Sequence, residues 1–184
     1  MSVAVDDYIK SPEILNSQEF KDKNFWVDPK SYWLPVDFKP KTRKQKLVFE
    51  LWRPFISNEE IKFAGFEYWS NVLEGGRSLD AHKDRDEKLF EDTGENVHPL
   101  VGSVYYPIID AVVGGQLMIY KDGLEAEPTE TIPPVQNRMV FFEAGRLWHK
   151  VAPVISGTRA HFAVNVWEKE PYGVGKEGGM LLEN

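Results

Sequence analysis

His82 and Asp84 stand two residues apart in Leu79-Asp80-Ala81-His82-Lys83-Asp84. Along an extended strand side chains alternate faces, so residues two apart project from the same side and this imidazole and carboxylate point at one spot. Together they make two thirds of a facial metal site. A second imidazole would complete one face of an octahedron and leave three positions open for small molecules. His149, in Arg146-Leu147-Trp148-His149-Lys150, is placed to supply it. His-x-Asp alone is a weak signal, so its weight depends on the elements that would bring the three residues together.

Those elements are mostly strands. Ser11 as N-cap and Pro12 at the first helical position start a short helix, and from Asn24 to Pro40 aromatics alternate with Pro29, Pro35 and Pro40 in an irregular arm. Its Phe25, Trp26, Tyr32 and Trp33 are expected to pack on the body of the protein. Lys39 to Lys46 reads as a solvated basic loop. Leu47 to Trp52 reads as an apolar strand ended by Pro54, and Ser57-Asn58-Glu59-Glu60 as a capping box. After Gly65 short β runs follow one another, separated by Gly, Pro, Asp or Asn: 66–70, 77–84, 100–107, 116–121, 129–133, 137–142, 148–154 and 159–167. Eight short strands with no long helix between them predict an antiparallel two-sheet sandwich or barrel, eight being the jelly-roll number. His82 then falls at the end of the second strand, and His149 opens the seventh. The polar interval 85–97 is expected as a solvated connection or a mobile lid, with Asp86 and Glu87 as loop or substrate-facing charges and His98 as a surface residue. Residues 108–114 are expected as a turn, and the tail from Gly173 is expected to be flexible or loosely docked.

Composition excludes several function classes. A chain of 184 residues suits one domain: an extension over 1–64, a β core over 65–170 and a tail over 171–184. With no Cys there is no disulfide scaffold, thiolate metal site or Cys nucleophile. The net charge of −7 repels phosphate backbones and anionic lipid, which makes nucleic acid and membrane poor partners. Met1 to Lys10 lacks the basic start and apolar run of a signal peptide, so a cytoplasmic location is expected.

The arrangement resembles the 2-oxoglutarate and Fe(II)-dependent oxygenases, particularly those grouped with the prolyl 4-hydroxylases. The resemblance rests on His82-Lys83-Asp84, Gly114-Gly115-Gln116-Leu117, the strand Asn137 to Phe142, His149, and Gly157-Thr158-Arg159, in that order and spacing from about Gly65 to Trp167. It implies a double-stranded β-helix, a cupin-like jelly roll whose second and seventh strands are neighbours. It also implies Fe(II) held by His82, Asp84 and His149, with 2-oxoglutarate as cosubstrate and O₂ as oxidant. Arg159 is then assigned to the far carboxylate of 2-oxoglutarate, which a guanidinium meets with a planar pair of donors. Alternation places Arg159, His161, Ala163 and Asn165 on one face of the last strand, and Ala160, Phe162, Val164 and Val166 on the other. Many relatives carry Ser or Thr two residues after the Arg; His161 stands there instead. Tyr105 or Tyr106 on the third strand could donate a hydrogen bond to the same carboxylate, and alternation lets only one face inward.

The activity implied is hydroxylation of a peptidyl side chain, an amino acid or a small metabolite. Two rival readings use the same ligands. A cupin-type binding module would retain the metal without turnover and would have no need of Arg159, and a metal-dependent hydrolase or isomerase would act through a bound water without O₂ or 2-oxoglutarate.

Overall fold

The computed structural model of the chain describes residues 1–56 and 62–175. In chain order its elements are β1 (Val3–Val5), α1 (Pro12–Asn16), α2 (Gln18–Lys21), a 3-10 turn (Lys23–Trp26), β2 (Tyr32–Pro35), α3 (Arg43–Ile56), β3 (Gly65–Leu73), β4 (Leu79–His82), α4 (Glu87–Thr93), β5 (Val101–Tyr105), β6 (Ile109–Gly114), β7 (Leu117–Tyr120), β8 (Glu130–Ile132), β9 (Met139–Phe142), β10 (Trp148–Val151) and β11 (Val154–Trp167). The strands form two antiparallel sheets. The larger has the order β1-β9-β5-β11-β3-β2, with β6 also paired to β11, and the smaller has the order β4-β10-β7-β8. Their inner faces meet: Tyr106, Val140 and Phe142 of the larger side pack against Leu117, Ile119 and Ile132 of the smaller. This is the two-sheet jelly roll expected of a double-stranded β-helix.

All eight expected strands are present. Residues 108–114, expected as a turn, instead form β6, which pairs with the first half of β11 from Val154 to Arg159. That pairing explains why β11 runs unbroken through a stretch the sequence divides at Gly157. The last strand is thus the longest element of the sheet, bonded to β3 on one side and to β5 and β6 on the other.

The outer face of the larger sheet is closed by the N-terminal third of the chain. α3 corrects the strand expected at Leu47–Trp52. The apolar run is contiguous and ends near a Pro, but its buried residues, Lys44, Gln45, Leu47, Val48, Leu51 and Trp52, recur at the three- and four-residue intervals of a helix. A start signal was also present in Thr42-Arg43-Lys44-Gln45. Gln45 N–H donates to Thr42 Oγ1 at 3.1 Å, while the Gln45 side chain accepts from the Lys41 and Thr42 N–H groups at 2.7 and 3.1 Å, a reciprocal capping box. Pro54 sits within the last turn, where it costs one backbone hydrogen bond without stopping the helix before Ile56. The capping box expected at 57–60 lies outside the described residues.

α3 packs its Leu47, Val48, Leu51 and Trp52 on Phe66, Tyr68, Tyr105, Met139, Phe162, Val164 and Val166 of the sheet. Each such aliphatic side chain removed from water contributes about 1.5–3 kcal/mol. Ser11 caps α1 as expected, accepting from Ile14 N–H, with Pro12 leading the helix. The arm's aromatics also pack as expected: Trp26, Tyr32 and Trp33 are buried and Phe25 is half-buried. Trp26 lies 5.8 Å from the Phe162 ring and donates its Nε1–H to the Phe20 carbonyl. The described part of the tail is docked, with Trp33 N–H donating to the Gly175 carbonyl at 2.7 Å; residues 176–184 lie outside the described residues. Within 85–97, α4 is capped by Asp86 and ended by Gly94 in the left-handed region, so the interval carries a short exposed helix. No helix among the described residues is long and apolar enough to cross a membrane.

Candidate metal centre

β4 and β10 are antiparallel neighbours in a register that sets His149 directly opposite His82. The two rings lie 4.3 Å apart. Each is turned by its own backbone: His82 Nδ1 meets the Asp80 carbonyl at 2.7 Å and His149 Nδ1 meets the Leu147 carbonyl at 3.1 Å. With Nδ1–H donating to a carbonyl, each ring turns Nε2 toward Asp84, where it donates to the carboxylate when protonated and offers a metal its lone pair when not. Both Nε2 atoms face Asp84 Oδ1, at 3.4 Å from His82 and 3.5 Å from His149. The three donor atoms all lie within 4.8 Å of one another. Ligands about 2.1 Å from a metal and at right angles to each other are about 3 Å apart, so a small contraction closes this set on one ion.

Asp84 is held from every side. Its N–H donates to the Ala144 carbonyl at 3.0 Å, its own carbonyl meets His98 Nδ1 at 2.7 Å, and its Oδ2 accepts from Asn165 Nδ2 at 2.9 Å. Burial alone would raise the Asp84 carboxyl, but hydrogen bonds from His149, His82 and Asn165 outweigh it and hold the group well below the usual carboxylate range. The same bond to Asp84 raises His82, against the effect of burial. Two neutral nitrogens and one ionised oxygen cancel part of a divalent charge and leave the ion able to take an anionic chelator. The donor set therefore fits Fe(II).

Arg159 lies deeper between the sheets and is 1% exposed. Its Nε donates to the Gly115 carbonyl at 2.9 Å, one terminal nitrogen meets His161 Nδ1 at 2.9 Å, and the other is 3.4 Å from Tyr106 Oη. Its guanidinium carbon lies 4.9 Å from the centre of the Tyr106 ring. Burial and the neighbouring guanidinium push His161 well below its ordinary value, so the ring is neutral and accepts at Nδ1. Every partner of Arg159 is thus uncharged, and among the described residues no carboxylate pairs with it. A charge removed from water at a cost of several kcal/mol without a counter-ion is a site for an anion. Gly115 is required beside it: its φ is +70°, and a Cβ there would lie 2.9 Å from Arg159 Cδ.

The structure brings His82, Asp84, His149, Arg159 and His161 to one narrow cavity of about 60 Å³ between the sheets. Tyr106 joins them through Arg159. Tyr105 does not, because its hydroxyl donates to Asn137 Oδ1 at 2.8 Å on the opposite face of the sheet. Sequence reasoning missed the role of Asn165 in anchoring Asp84, although alternation had placed Asn165 on the right face. It also missed His98, which is half-buried against Asp84 and not a surface residue. At Asp84, Asn165 and Trp69 the cavity adjoins a wider pocket of about 340 Å³ under the arm. A larger groove of about 530 Å³ between α1 and α3 lies across the sheet, away from all of these groups.

Comparison with known proteins gives a consistent picture. Residues 68–169 match the family model described as the 2OG-Fe(II) oxygenase superfamily. Among solved structures the chain is similar to a prolyl-4-hydroxylase from Pseudomonas putida, with a TM-score of 0.58 and 18% identity over 91% of this chain and 88% of that one. It is also similar to a viral collagen prolyl hydroxylase from Paramecium Bursaria Chlorella virus-1 in its 2OG complex, with a TM-score of 0.57 and 15% identity over 92% and 96% of the two chains. A third likeness is to a prolyl hydroxylase from Trichoplax adhaerens in complex with a hypoxia inducible factor peptide fragment, with a TM-score of 0.56 and 14% identity over 91% and 83%. At these identities the structural likeness is one of fold. No curated protein matches the sequence.

Proposed function

The chain belongs to the 2OG-Fe(II) oxygenase superfamily, and from that premise we propose that it is a hydroxylase of a peptidyl side chain, an amino acid or a small metabolite, with His82, Asp84 and His149 as the iron ligands. Fe(II) and 2-oxoglutarate follow from the family and the His-Asp-His set. When bound, they supply with O₂ the oxidising chemistry that places an oxygen atom in a substrate C–H bond, while 2-oxoglutarate leaves as succinate and CO₂.

The observation that carries the reading is the buried, unneutralised guanidinium of Arg159 in the same cavity as a metal-ligand set with open positions. In this assignment Arg159 binds the far carboxylate of 2-oxoglutarate. Tyr106 and the Gly115 carbonyl fix the guanidinium, and His161, neutral and protonated on Nε2, occupies the place where many relatives carry a hydroxyl. Asn165 and His98 hold Asp84 in position. The two inner sheet faces keep the cavity narrow and exclude bulk water, which strengthens each polar contact within it. A cupin-type binding module would require the three ligands but would gain nothing from a buried cation beside them.

The test is an anaerobic titration of the protein with Fe(II) and 2-oxoglutarate, followed by the visible charge-transfer band of the chelate. The expected result is a band in the wild type that is absent in Asp84→Ala and needs far more 2-oxoglutarate in Arg159→Ala. Iron binding with no band on adding 2-oxoglutarate would overturn the assignment.

A further inference from the structure

We propose that the pocket beside Asp84 holds the molecule to be oxidised, and that Glu67 selects a basic amino acid by binding its side-chain ammonium or guanidinium group. The inference rests on the oxygenase reading above and supplies the substrate class that reading leaves open.

Position comes first. Glu67 lies on β3 directly across from Asn165 of β11, and cross-strand partners on one face have Cβ atoms about 5 Å apart. Asn165 in turn touches Asp84. A group bonded to Glu67 is therefore one side chain removed from the metal ligands. Trp69 and Asn71, at the next two positions on the same face, continue the wall of the pocket, and Asp28 to Ser31 of the arm close it from the other side. That closing segment is fastened. Asp28 accepts from Lys44 Nζ at 2.7 Å and from Ser70 N–H at 2.8 Å, and Lys44 and Ser70 bond each other at 2.9 Å. At about 340 Å³ the space takes one amino acid and little more.

Charge then decides what kind. Four carboxylates line the pocket: Asp28, Glu67, Asp84 and Glu87. Asp28 is neutralised by Lys44, Asp84 belongs to the metal set, and Glu87 pairs with Arg85 at 3.0 Å. Glu67 is left. Its partners are the Trp167 Nε1–H at 3.0 Å and the Ser31 side chain, both neutral, and among the described residues no cation forms an ion pair with it. A carboxylate accepts about four hydrogen bonds, so at least one direction remains open. Burial pushes its carboxyl up to about 7, the behaviour of a charge that lacks compensation. Of the two cations that line the pocket, Arg85 is paired with Glu87, and Lys30, which has no carboxylate partner among the described residues, is available to the α-carboxylate of a free amino acid. An ammonium or guanidinium donating to Glu67 would give that carboxylate the cation it lacks. A neutral analogue of the same shape would leave Glu67 uncompensated, and a buried polar group left without its partner is what makes such sites discriminate strongly.

The test is anaerobic titration calorimetry of the protein loaded with Fe(II) and 2-oxoglutarate, using L-arginine and L-lysine against their uncharged isosteres L-citrulline and L-α-aminoheptanoic acid. The wild type should bind at least one cationic amino acid about tenfold or more tightly than its isostere, and Glu67→Gln should abolish that preference. Capped Nα-acetyl-amide forms test the rim: weaker binding supports the free amino acid, and equal binding moves the cation into a peptide while keeping Glu67 as its partner. If neither cation outcompetes its isostere, or neither binds, the inference is overturned. The isostere comparison in the wild type decides this even if the variant does not fold. Failure of the chelate band to form at the start would instead strike at the oxygenase reading, so the two failures are distinguishable.

Discussion

The two faces of β11 are built from alternating residues of one strand, yet they obey different rules. Ala160, Phe162, Val164 and Val166 point into the aromatic core under α3, where Phe162 packs on Trp26 and Tyr68. Arg159, His161 and Asn165 point the other way, and all three are as deeply buried as the apolar set. On the first face burial is itself the stabilising term, and shape is all a neighbour must supply. On the second, burial is a cost offset only by particular partners: Gly115, Tyr106 and His161 for Arg159, and Asp84 for Asn165. Where the partner set is complete the residue is structural. Where it is incomplete, as at Arg159 and Glu67, the missing partner is, on the two proposals above, a ligand.

The sharpest way to break the contrast is Asp84→Ala. Iron binding and succinate formation should fall by about 10³-fold or more, while the near-ultraviolet circular dichroism of the aromatic core under α3 stays as in the wild type. An active variant would remove the metal set from the mechanism. Phe162→Ala probes the opposite face and should lower unfolding stability by about 3–5 kcal/mol in denaturant titration, with iron affinity per folded molecule retained. A comparable loss of iron affinity would mean that the two faces are not independent. Asn165→Ala is smaller, about 10–100-fold in iron affinity, because it frees Asp84 Oδ2 without removing a ligand.

Glu67→Gln should give the smallest effect, and one of opposite sign. A carboxyl whose folded pKa, about 7, lies above its unfolded value of about 4.5 binds its proton more tightly in the folded state. The stability this gives is fully present below pH 4.5 and is lost as pH rises through 7. At pH 8 the ionised group is therefore a burden; the full shift corresponds to about 3 kcal/mol, and with solvent screening part of it at this half-buried residue the glutamine variant should be the more stable protein by about 1–2 kcal/mol, with the gain vanishing near pH 4.5. Thermal melts at the two pH values read the difference. Equal melting at pH 8 would mean that Glu67 is compensated after all.

Much of the contrast was legible because period-2 alternation needs no tertiary information. Arg159, His161 and Asn165 were assigned to one face, and Phe162, Val164 and Val166 to the other, from spacing alone. The errors fall where two periods compete. Leu47 to Trp52 offers a contiguous apolar run that suits a buried strand as well as a helix face, and the Thr42–Gln45 box was the signal that distinguishes them. Residues 108–114 read locally as a turn, because pairing with β11 and not local preference makes them a strand.

The sequence by itself determined the residue types of the candidate metal set, their order, and the two-faced character of the last strand, since these depend on residue chemistry and backbone periodicity. Tertiary structure alone decided that Tyr106 and not Tyr105 meets Arg159, that His98 and Asn165 clamp Asp84, and that Glu67 comes to lie beside the centre with no ion-pair partner among the described residues. Each of these is a long-range pairing, from Asp84 to Asn165 or from Glu67 to Trp167. Whether a buried polar atom is satisfied depends on which distant strand supplies its partner, and no local pattern in the chain encodes that register.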